Sequence, residues 1–181
     1  AVAAARIRLA KETGMKIMEL LDKNIRPSAI MTEEAFCNCI AADMALGCST
    51  NTVLHLLAIA REAGLELPLD LFNKISAKTP QLCKLSPAGP HFMEDLHRAG
   101  GVSALLHLLL KASLIDGASL TVTGDTVAEN VSQYSVLDDS VIKQIENPYS
   151  KTGGLSILRG NLAPDGAVVK RGAVDPTMMI H

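Results

Sequence analysis

Apolar residues recur every three or four positions along most of the first 147 residues, and this spacing is typical of amphipathic α-helices. Glycines and prolines separate the apolar stretches and suggest where each helix ends. The pattern predicts helices over residues 4–23, 32–46, 49–63, 70–77, 92–99 and 102–114, and a further helix that opens at Thr126.

The first stretch is interrupted near Thr13 and Gly14, which indicates either two helices or one helix with a break. Residues 24–31 contain Pro27 and are predicted to form a loop. The helix over residues 49–63 is apolar around nearly its whole circumference, and we expect it to be buried.

Helix ends are marked by residues with a capping function. Thr32 precedes Glu33 and begins a helix, while Gly47 fits the C-terminal cap of the same helix. Thr126 and Glu129 have the spacing of a capping box, in which each residue binds the other's backbone N–H.

β-Structure is predicted in three places. Residues 81–87 and 120–123 read as short strands, the latter followed by a turn at Gly124. Residues 155–171 form two β-type runs around a turn at residues 164–166, Pro-Asp-Gly. The fold class is therefore α/β and mainly helical, with one domain over residues 1–147 and the truncated start of a second, mostly β domain over residues 148–181.

Composition and charge exclude several classes of partner. The 181 residues are 48% hydrophobic and 20% charged, enough apolar material for a core. The net charge is −2 and only five residues are aromatic, so no nucleic acid or anionic membrane is expected as a partner. No apolar run is long enough to span a bilayer, and no signal peptide is visible. The chain lacks a starting Met, and we expect it to be a piece of a longer protein.

The four cysteines do not form a recognisable metal or disulfide pattern. Cys37 and Cys39 lie two positions apart in a helix, about 200° around its axis, and cannot hold one metal together. No C-x-x-C motif occurs, so a reduced, cytoplasmic environment is the simpler interpretation.

The segment GCSTNT, residues 47–52, is the strongest candidate for a binding site. A helix N-terminus exposes unpaired N–H groups and a partial positive charge, which suit a carboxylate or phosphate. The alternative is that Cys48 or Ser49 caps the helix and binds nothing. His55 lies further along this helix, on a polar stripe with Asn51 and Glu62, and is more typical of a core histidine than of a catalyst.

Other motifs are weaker. His91 and Asp95 are four residues apart and could hold a metal, although a solvated helix face is the favoured interpretation. The phosphate-loop motif is absent, and no Ser/His/Asp arrangement is recognisable.

Four long segments resemble the dihydroxy-acid/phosphogluconate dehydratase family and occur in the family's order: ALGCSTNTVLHLLAIAREAG, KTPQLCKLSPAGPHFMEDLHRAGGV, LTVTGDTVAEN and GGLSILRGNLAPDGAVVK. The preceding stretch AARIRLAKETGMKIMELLDKNIRPSAIMT is also similar to this family. The resemblance covers essentially the whole chain, which would then be the later part of an N-terminal αβα domain plus the first hairpin of a C-terminal β domain.

The resemblance implies a hydro-lyase that removes water from a 2,3-dihydroxy acid and yields a 2-keto acid. The sequence of the second segment resembles that of the family members that act in branched-chain amino acid biosynthesis. The family implies an iron–sulfur cluster as Lewis acid at the leaving hydroxyl, Mg²⁺ to hold the carboxylate, and a serine alkoxide as base, because hydroxide is a poor leaving group. A cytoplasmic homodimer is also implied, with helices 49–63 and 102–114 as candidate contacts.

The resemblance places every cluster ligand, every Mg²⁺ ligand and the catalytic serine outside this chain. The four cysteines match none of the ligand motifs: Cys37, Cys39, Cys48 and Cys83. No catalytic, cofactor-binding or metal-binding residue is therefore assigned, and the isolated chain is expected to be inactive. Ser49, Thr50 and Asn51 are the candidates for residues that face the substrate or support those that do.

Two alternatives stay open. The chain could come from a sugar-acid dehydratase of the phosphogluconate type, which shares the family's chemistry. It could also be a non-catalytic helical interaction module built from dehydratase sequence.

Overall fold

α-Helices account for most of the regular structure in the computed structural model, which describes residues 4–178. The helices are α1 (Ala4–Asp22), α2 (Pro27–Ile30), α3 (Glu33–Leu46), α4 (Asn51–Glu62), α5 (Asp70–Ser76), α6 (Met93–Arg98), α7 (Gly101–Lys111) and α8 (Val127–Val131). Two antiparallel strands follow, β1 (Ser156–Gly160) and β2 (Ala163–Val169), and then two 3₁₀ turns at Arg171–Ala173 and Pro176–Met178. The prediction of a mainly helical chain that ends in a β-hairpin is confirmed.

Helix α1 is continuous, so the predicted break at Thr13 and Gly14 was wrong. The Thr13 hydroxyl donates to the backbone oxygen of Leu9 at 2.8 Å and stays within the helical hydrogen-bond pattern. A single interior glycine weakens a helix by about 1 kcal/mol without ending it. The predicted loop at residues 24–31 was also partly wrong, because α2 begins there with Pro27 in the first turn, where the missing N–H has no helical partner.

Most of α1 is exposed, and Leu20 is its one buried residue among those described. Its exposed apolar side chains are Ile7, Leu9, Met15, Ile17, Met18 and Leu21. Across residues 4–178, every helix is too short or too polar to cross a lipid bilayer.

Helix α3 is the central element of the core. Its predicted ends are confirmed: the Thr32 hydroxyl accepts from the Ala35 N–H at 3.3 Å, and Gly47 ends the helix with a left-handed φ of 64°. A side chain at Gly47 would be strained in this conformation. Helix α3 buries seven residues: Phe36, Asn38, Ile40, Ala41, Asp43, Met44 and Ala45.

Helix α4 differs from its prediction in where it starts and in how it is buried. It begins at Asn51, two residues after the predicted start, and buries only Val53 and Ala60 among its described residues. Leu54 is 65% exposed, so the expectation of a fully buried helix was wrong. The reason is that α4 packs along one side only, with Ala60 in a small cluster that contains Phe36 and Leu67 and with Val53 in a larger one that contains Ile40 and Phe72.

Two larger clusters share α3. One joins α3 to α6, α7 and the segment around residues 141–145; its buried members include Ala41, Leu82, Leu96, Leu105, Leu109 and Ile142. The other joins α3 to α4, α5 and β1; its buried members are Ile40, Met44, Val53, Phe72, Leu155 and Ile157. Ala41 and Ala45 lie in the first cluster and Ile40 and Met44 in the second, so two adjacent faces of α3, about 100° apart, connect the two parts of the core.

The predicted strand at residues 81–87 is not formed. Gln81 and Leu85 make isolated bridges, to Ser150 and His91 respectively. The Leu82 N–H donates to the Ala45 oxygen at 2.8 Å, at the end of α3. The Lys143 N–H also donates to the Leu82 oxygen at 2.9 Å. The segment thus divides its backbone hydrogen bonds among several separate parts of the chain, and no continuous ladder forms with any one of them.

The predicted strand at residues 120–123 is reduced to one bridge between Leu120 and Thr126. The Asn130 amide donates to the hydroxyls of Thr121 and Thr123 at 2.7 and 2.8 Å, so side-chain bonds hold this loop. The predicted capping box is confirmed: the Thr126 N–H donates to the Glu129 carboxylate at 2.8 Å, and the Glu129 N–H donates to the Thr126 hydroxyl at 3.2 Å.

The hairpin is confirmed, but its turn was placed wrongly. Gly160 pairs with Ala163, so Asn161 and Leu162 form the turn, and the segment 164–166 lies within β2. Leu158 pairs with Ala167, so the three residues 164–166 lie opposite Arg159 alone, as a bulge. Gly166 has a φ of 110°, in the region that favours glycine, so the glycine of this segment suits the bulge.

The chain after residue 147 is attached closely to the helices. The Gly153 N–H donates to the Ser76 oxygen at 2.8 Å, and the Gly154 N–H donates to the Met44 oxygen at 3.0 Å. The Asn73 side chain binds both the N–H and the oxygen of Ile157, each at 2.8 Å, and so pairs with β1. A domain boundary between residues 147 and 148 stays a prediction.

Candidate functional site

The segment 47–52 forms a tight connection between α3 and α4. The backbone oxygen of Asp43 accepts from the N–H groups of Gly47 and Cys48, at 2.9 and 3.3 Å. The chain therefore reverses over the last turn of α3 before α4 begins at Asn51.

Ser49, Thr50 and Asn51 lie together on this turn. The Ser49 hydroxyl accepts from the Asn51 N–H at 3.2 Å, and the Ser49 oxygen accepts from the Thr52 N–H at 2.9 Å. Ser49 and Asn51 are exposed, and Thr50 is half-buried. The N-cap position of α4 is Thr50, which makes no side-chain cap, so Ser49 binds the first N–H of the helix from the preceding position. A contact of these residues with substrate stays a prediction.

His55 lies on the outer face of α4 and is exposed. The interpretation as a core histidine was therefore wrong, because α4 leaves that face uncovered. Asn51 and Glu62, the other members of its polar stripe, are exposed as well.

Asp43 is a buried carboxylate beneath the connection, only 4% exposed. Within residues 4–178 neither of its oxygens accepts a hydrogen bond of good geometry. Burial raises the pKa of this carboxyl from 3.8 to about 6, while the nearby side chains of Thr52 and Cys48, and the charge of Lys170, offset part of that increase. The site therefore contains an acid that exchanges its proton near neutral pH.

Two buried thiols near the connection, Cys48 and Cys83, are held in their protonated form. Burial, followed by the charge of Asp43, raises the pKa of the Cys48 thiol to about 12. Burial also raises the pKa of Cys83 to about 12, with a smaller contribution from Cys48. Neither thiol is a reactive nucleophile at neutral pH, since the thiolate is the reactive form.

The predicted metal pair, His91 and Asp95, does not lie on one helix, because His91 precedes α6 and forms a bridge with Leu85. The Asp95 carboxylate accepts from the Phe92 N–H at 2.7 Å and so caps its own helix. Among the described residues, no three His, Cys, Asp or Glu side chains come close enough to hold a metal ion.

Sequence reasoning missed Asp43, Lys170 and Gln81. Gln81 is 3% exposed, and its amide donates to the Cys83 oxygen at 3.0 Å, next to Gly47. The available signal for Asp43 was a single acid inside the apolar run IAADMAL. Lys170 had no such signal, because its proximity to Asp43 depends on the tertiary fold.

Comparison with known families agrees with the resemblance seen in the sequence. Residues 1–130 match the profile described as dihydroxy-acid/6-phosphogluconate dehydratase N-terminal, and residues 140–181 match the corresponding C-terminal profile. The chain belongs to the dihydroxy-acid/6-phosphogluconate dehydratase family. The predicted family is thereby confirmed.

Three relatives in this family carry the name dihydroxy-acid dehydratase. The chain is 59% identical to the protein of Acetivibrio thermocellus and 61% identical to that of Caldicellulosiruptor bescii, each over 181 residues. It is 59% identical over 183 residues to that of Nitratidesulfovibrio vulgaris. All of this chain is covered in each case, but only 33% of each relative, so the chain spans about a third of their length.

The described residues do not fit the cofactors that the family resemblance implies. Iron–sulfur clusters are held by several thiolates, whereas Cys48 and Cys83 are stabilised as thiols. Cys37 is half-buried and Cys39 exposed, and burial raises the pKa of both. Asp43 is a single carboxylate with thiol, hydroxyl and lysine neighbours, unlike the oxygen-rich surroundings that Mg²⁺ prefers. No cofactor ligand is assigned to these residues.

Proposed function

We propose that the protein containing this chain dehydrates 2,3-dihydroxy-3-methyl carboxylic acids to 2-keto acids in branched-chain amino acid biosynthesis. The observation that carries the proposal is 59–61% identity, along all 181 residues, to relatives named dihydroxy-acid dehydratase. The matched region covers the whole chain, including the core helices and the segment 47–52.

In this proposal the chain contributes a helical scaffold and one wall of the substrate site. Ser49, Thr50 and Asn51 would face the substrate from an exposed turn, with hydroxyl and amide groups that suit a polar dihydroxy acid. The support comes from the geometry beneath them: Asp43 and Gly47 fix the turn through backbone bonds at the end of α3.

The proposal includes an iron–sulfur cluster and Mg²⁺ in the whole protein, bound by residues other than the described ones. It also includes a cytoplasmic homodimer that acts on a small dihydroxy acid, without a nucleic-acid or membrane partner. The 181-residue chain by itself is then expected to be inactive.

A substrate panel on the full-length protein tests the reaction. We expect keto-acid formation from 2,3-dihydroxyisovalerate and much slower turnover of 6-phosphogluconate. The reverse preference would show a sugar-acid dehydratase, which the family description also includes. A full-length protein that is folded and loaded with both cofactors but turns over neither substrate would contradict the proposal and favour an interaction module.

Substitutions in the turn test the role of its residues. If they face the substrate, Asn51→Ala and Thr50→Ala should each lower kcat/KM by about tenfold or more, the usual effect of losing a hydrogen bond to a charged substrate. His55→Ala, on the exposed face of the same helix, is the control and should leave kcat/KM unchanged. Unchanged kcat/KM in all three variants would mean that the turn only connects two helices.

A further inference from the structure

A small basic pocket lies where the loop before β1 meets the turn after β2. Its volume is about 190 Å³, the space of roughly six liquid waters at about 30 Å³ each. The residues that matter for its chemistry are Gln81, Lys84, Tyr149, Ser150, Arg171 and Gly172. It is separate from the exposed turn of Ser49, Thr50 and Asn51, none of which lines it.

Two of the described residues that line the pocket are charged, and both are cations: Lys84 and Arg171. The nearest carboxylate along the chain, Asp175, is already engaged by the backbone N–H and hydroxyl of Thr177, at 2.9 and 2.7 Å. In a chain of net charge −2, this pocket is a local concentration of positive charge. Two unneutralised cations at one pocket favour an anion.

The two cations are held in place by neighbouring groups. The Lys84 ammonium lies 5.4 Å from the centre of the Tyr149 ring, within the range of a cation–π contact. The Tyr149 hydroxyl donates to the Ser140 oxygen at 3.1 Å, which fixes the ring. The Arg171 guanidinium donates to the Thr152 hydroxyl at 2.9 Å, so only part of its hydrogen-bonding capacity is used.

Gln81 adds a buried polar group to the pocket wall. It is 97% buried, and its amide nitrogen is committed to the Cys83 oxygen at 3.0 Å. Within residues 4–178 the structure provides no donor for its side-chain oxygen. An added Cβ at Gly172 would come within 2.6 Å of that oxygen, so the glycine leaves room beside it. An acceptor in this position suits a ligand that carries a hydroxyl.

We propose that this pocket binds a small oxyanion that also carries an O–H group, with Lys84 and Arg171 on the anionic oxygens and Gln81 on the hydroxyl. Inorganic phosphate and a 2-hydroxycarboxylate such as lactate both have this chemistry. Ser150 supplies a further hydroxyl at the pocket wall. The proposal is independent of the dehydratase reaction, because it concerns binding alone.

Calorimetric titration of the full-length protein at constant ionic strength tests the proposal, with phosphate, lactate and acetate as separate probes. We expect phosphate, lactate or both to bind saturably, and acetate, which lacks the hydroxyl, to bind at least about threefold more weakly than the better of them. Lys84→Gln and Arg171→Gln should each weaken binding by about tenfold, because each removes a charge-assisted hydrogen bond.

The matched control is Lys151→Gln, an exposed lysine in the same loop that does not line the pocket. The affinity of this variant for the anion should stay within about twofold of that of the unaltered protein. Gln81→Leu should abolish the preference over acetate, and thermal melts without anion identify any variant that fails to fold.

Three results would overturn the proposal. One is that neither phosphate nor lactate binds. Another is that binding occurs and Lys84→Gln and Arg171→Gln leave it unchanged. The third is an equal loss of anion affinity in Lys151→Gln, which would show that binding depends only on the general positive charge of the surface. Because turnover is not measured, failure here leaves the dehydratase proposal intact.

Discussion

Helices α3 and α4 are similar in apolar content but differ in how many of their side chains are buried. Helix α3 lies between two clusters and buries seven residues, two of them polar. Helix α4 follows after a short turn and buries two, with Leu54 and Ile59 65% and 43% exposed. The difference shows that apolar composition predicts a helix, whereas its neighbours in the fold decide which faces are covered.

The largest expected contrast comes from shortening one apolar side chain in each helix. Ile40→Ala in α3 removes a fully buried side chain and should lower the free energy of unfolding by about 2–5 kcal/mol. Leu54→Ala in α4 should change it by less than about 0.5 kcal/mol, because Leu54 is exposed. Denaturant titration measures both, and equal losses would show that the outer face of α4 is covered in solution.

The buried acid at the junction of the two helices predicts a pH effect. The folded-state pKa of Asp43 is about 6, above the ordinary 3.8, so the folded protein retains a proton that the unfolded chain releases between those values. Stability should therefore fall as pH rises from about 4 to about 6, by roughly 1–3 kcal/mol. Asp43→Asn should remove this contribution and be more stable than the unaltered chain above pH 6.

Unfolding measured across pH 4–8 tests this effect, with the exposed Asp139→Asn as control. The control should keep the pH profile of the unaltered protein. If Asp43→Asn showed the same pH profile as the control and the unaltered protein, the Asp43 carboxylate would be solvated in the folded state.

A smaller effect is expected from a buried amide of α3. The Asn38 side chain binds both the N–H and the oxygen of Asp116, each at 2.7 Å, and Asn38 is 8% exposed. Asn38→Ala should lower the free energy of unfolding by about 1–3 kcal/mol, since it leaves these groups without their partner. Asn51→Ala at the start of α4 should be nearly neutral, and a comparable loss there would mean that the exposed turn is tightly packed.

The smallest contrast concerns the two helix starts. Thr32→Ala removes a side-chain cap of α3 and should lower the free energy of unfolding by about 1 kcal/mol. Thr50 makes no side-chain cap at α4, so Thr50→Ala should change stability by less than about 0.5 kcal/mol. If thermal melts showed the larger loss for Thr50→Ala, the assignment of the two caps would be wrong.

Features set by neighbouring residues were predictable from the sequence. Both ends of α3 and the capping box at Thr126 were predicted, because their hydrogen bonds join residues three or four positions apart. The exposed face of α4 and the missing strand at residues 81–87 were not, since both depend on distant partners. The candidate site divides in the same way. The turn at Ser49 was visible in the sequence, whereas the proximity of Lys170 to Asp43 depends on the fold.

The bulge in β2 has a consequence for the behaviour of the hairpin at high concentration. Leu158 and Leu162 are 53% and 97% exposed. Exposed apolar side chains on a hairpin with a regular free edge favour pairing with other extended chains. Pro164 cannot donate a backbone hydrogen bond, and the three residues opposite Arg159 interrupt the regular spacing of the strand. A second extended chain therefore meets an irregular edge, and we expect the Pro-Asp-Gly segment to disfavour pairing of that chain with β2.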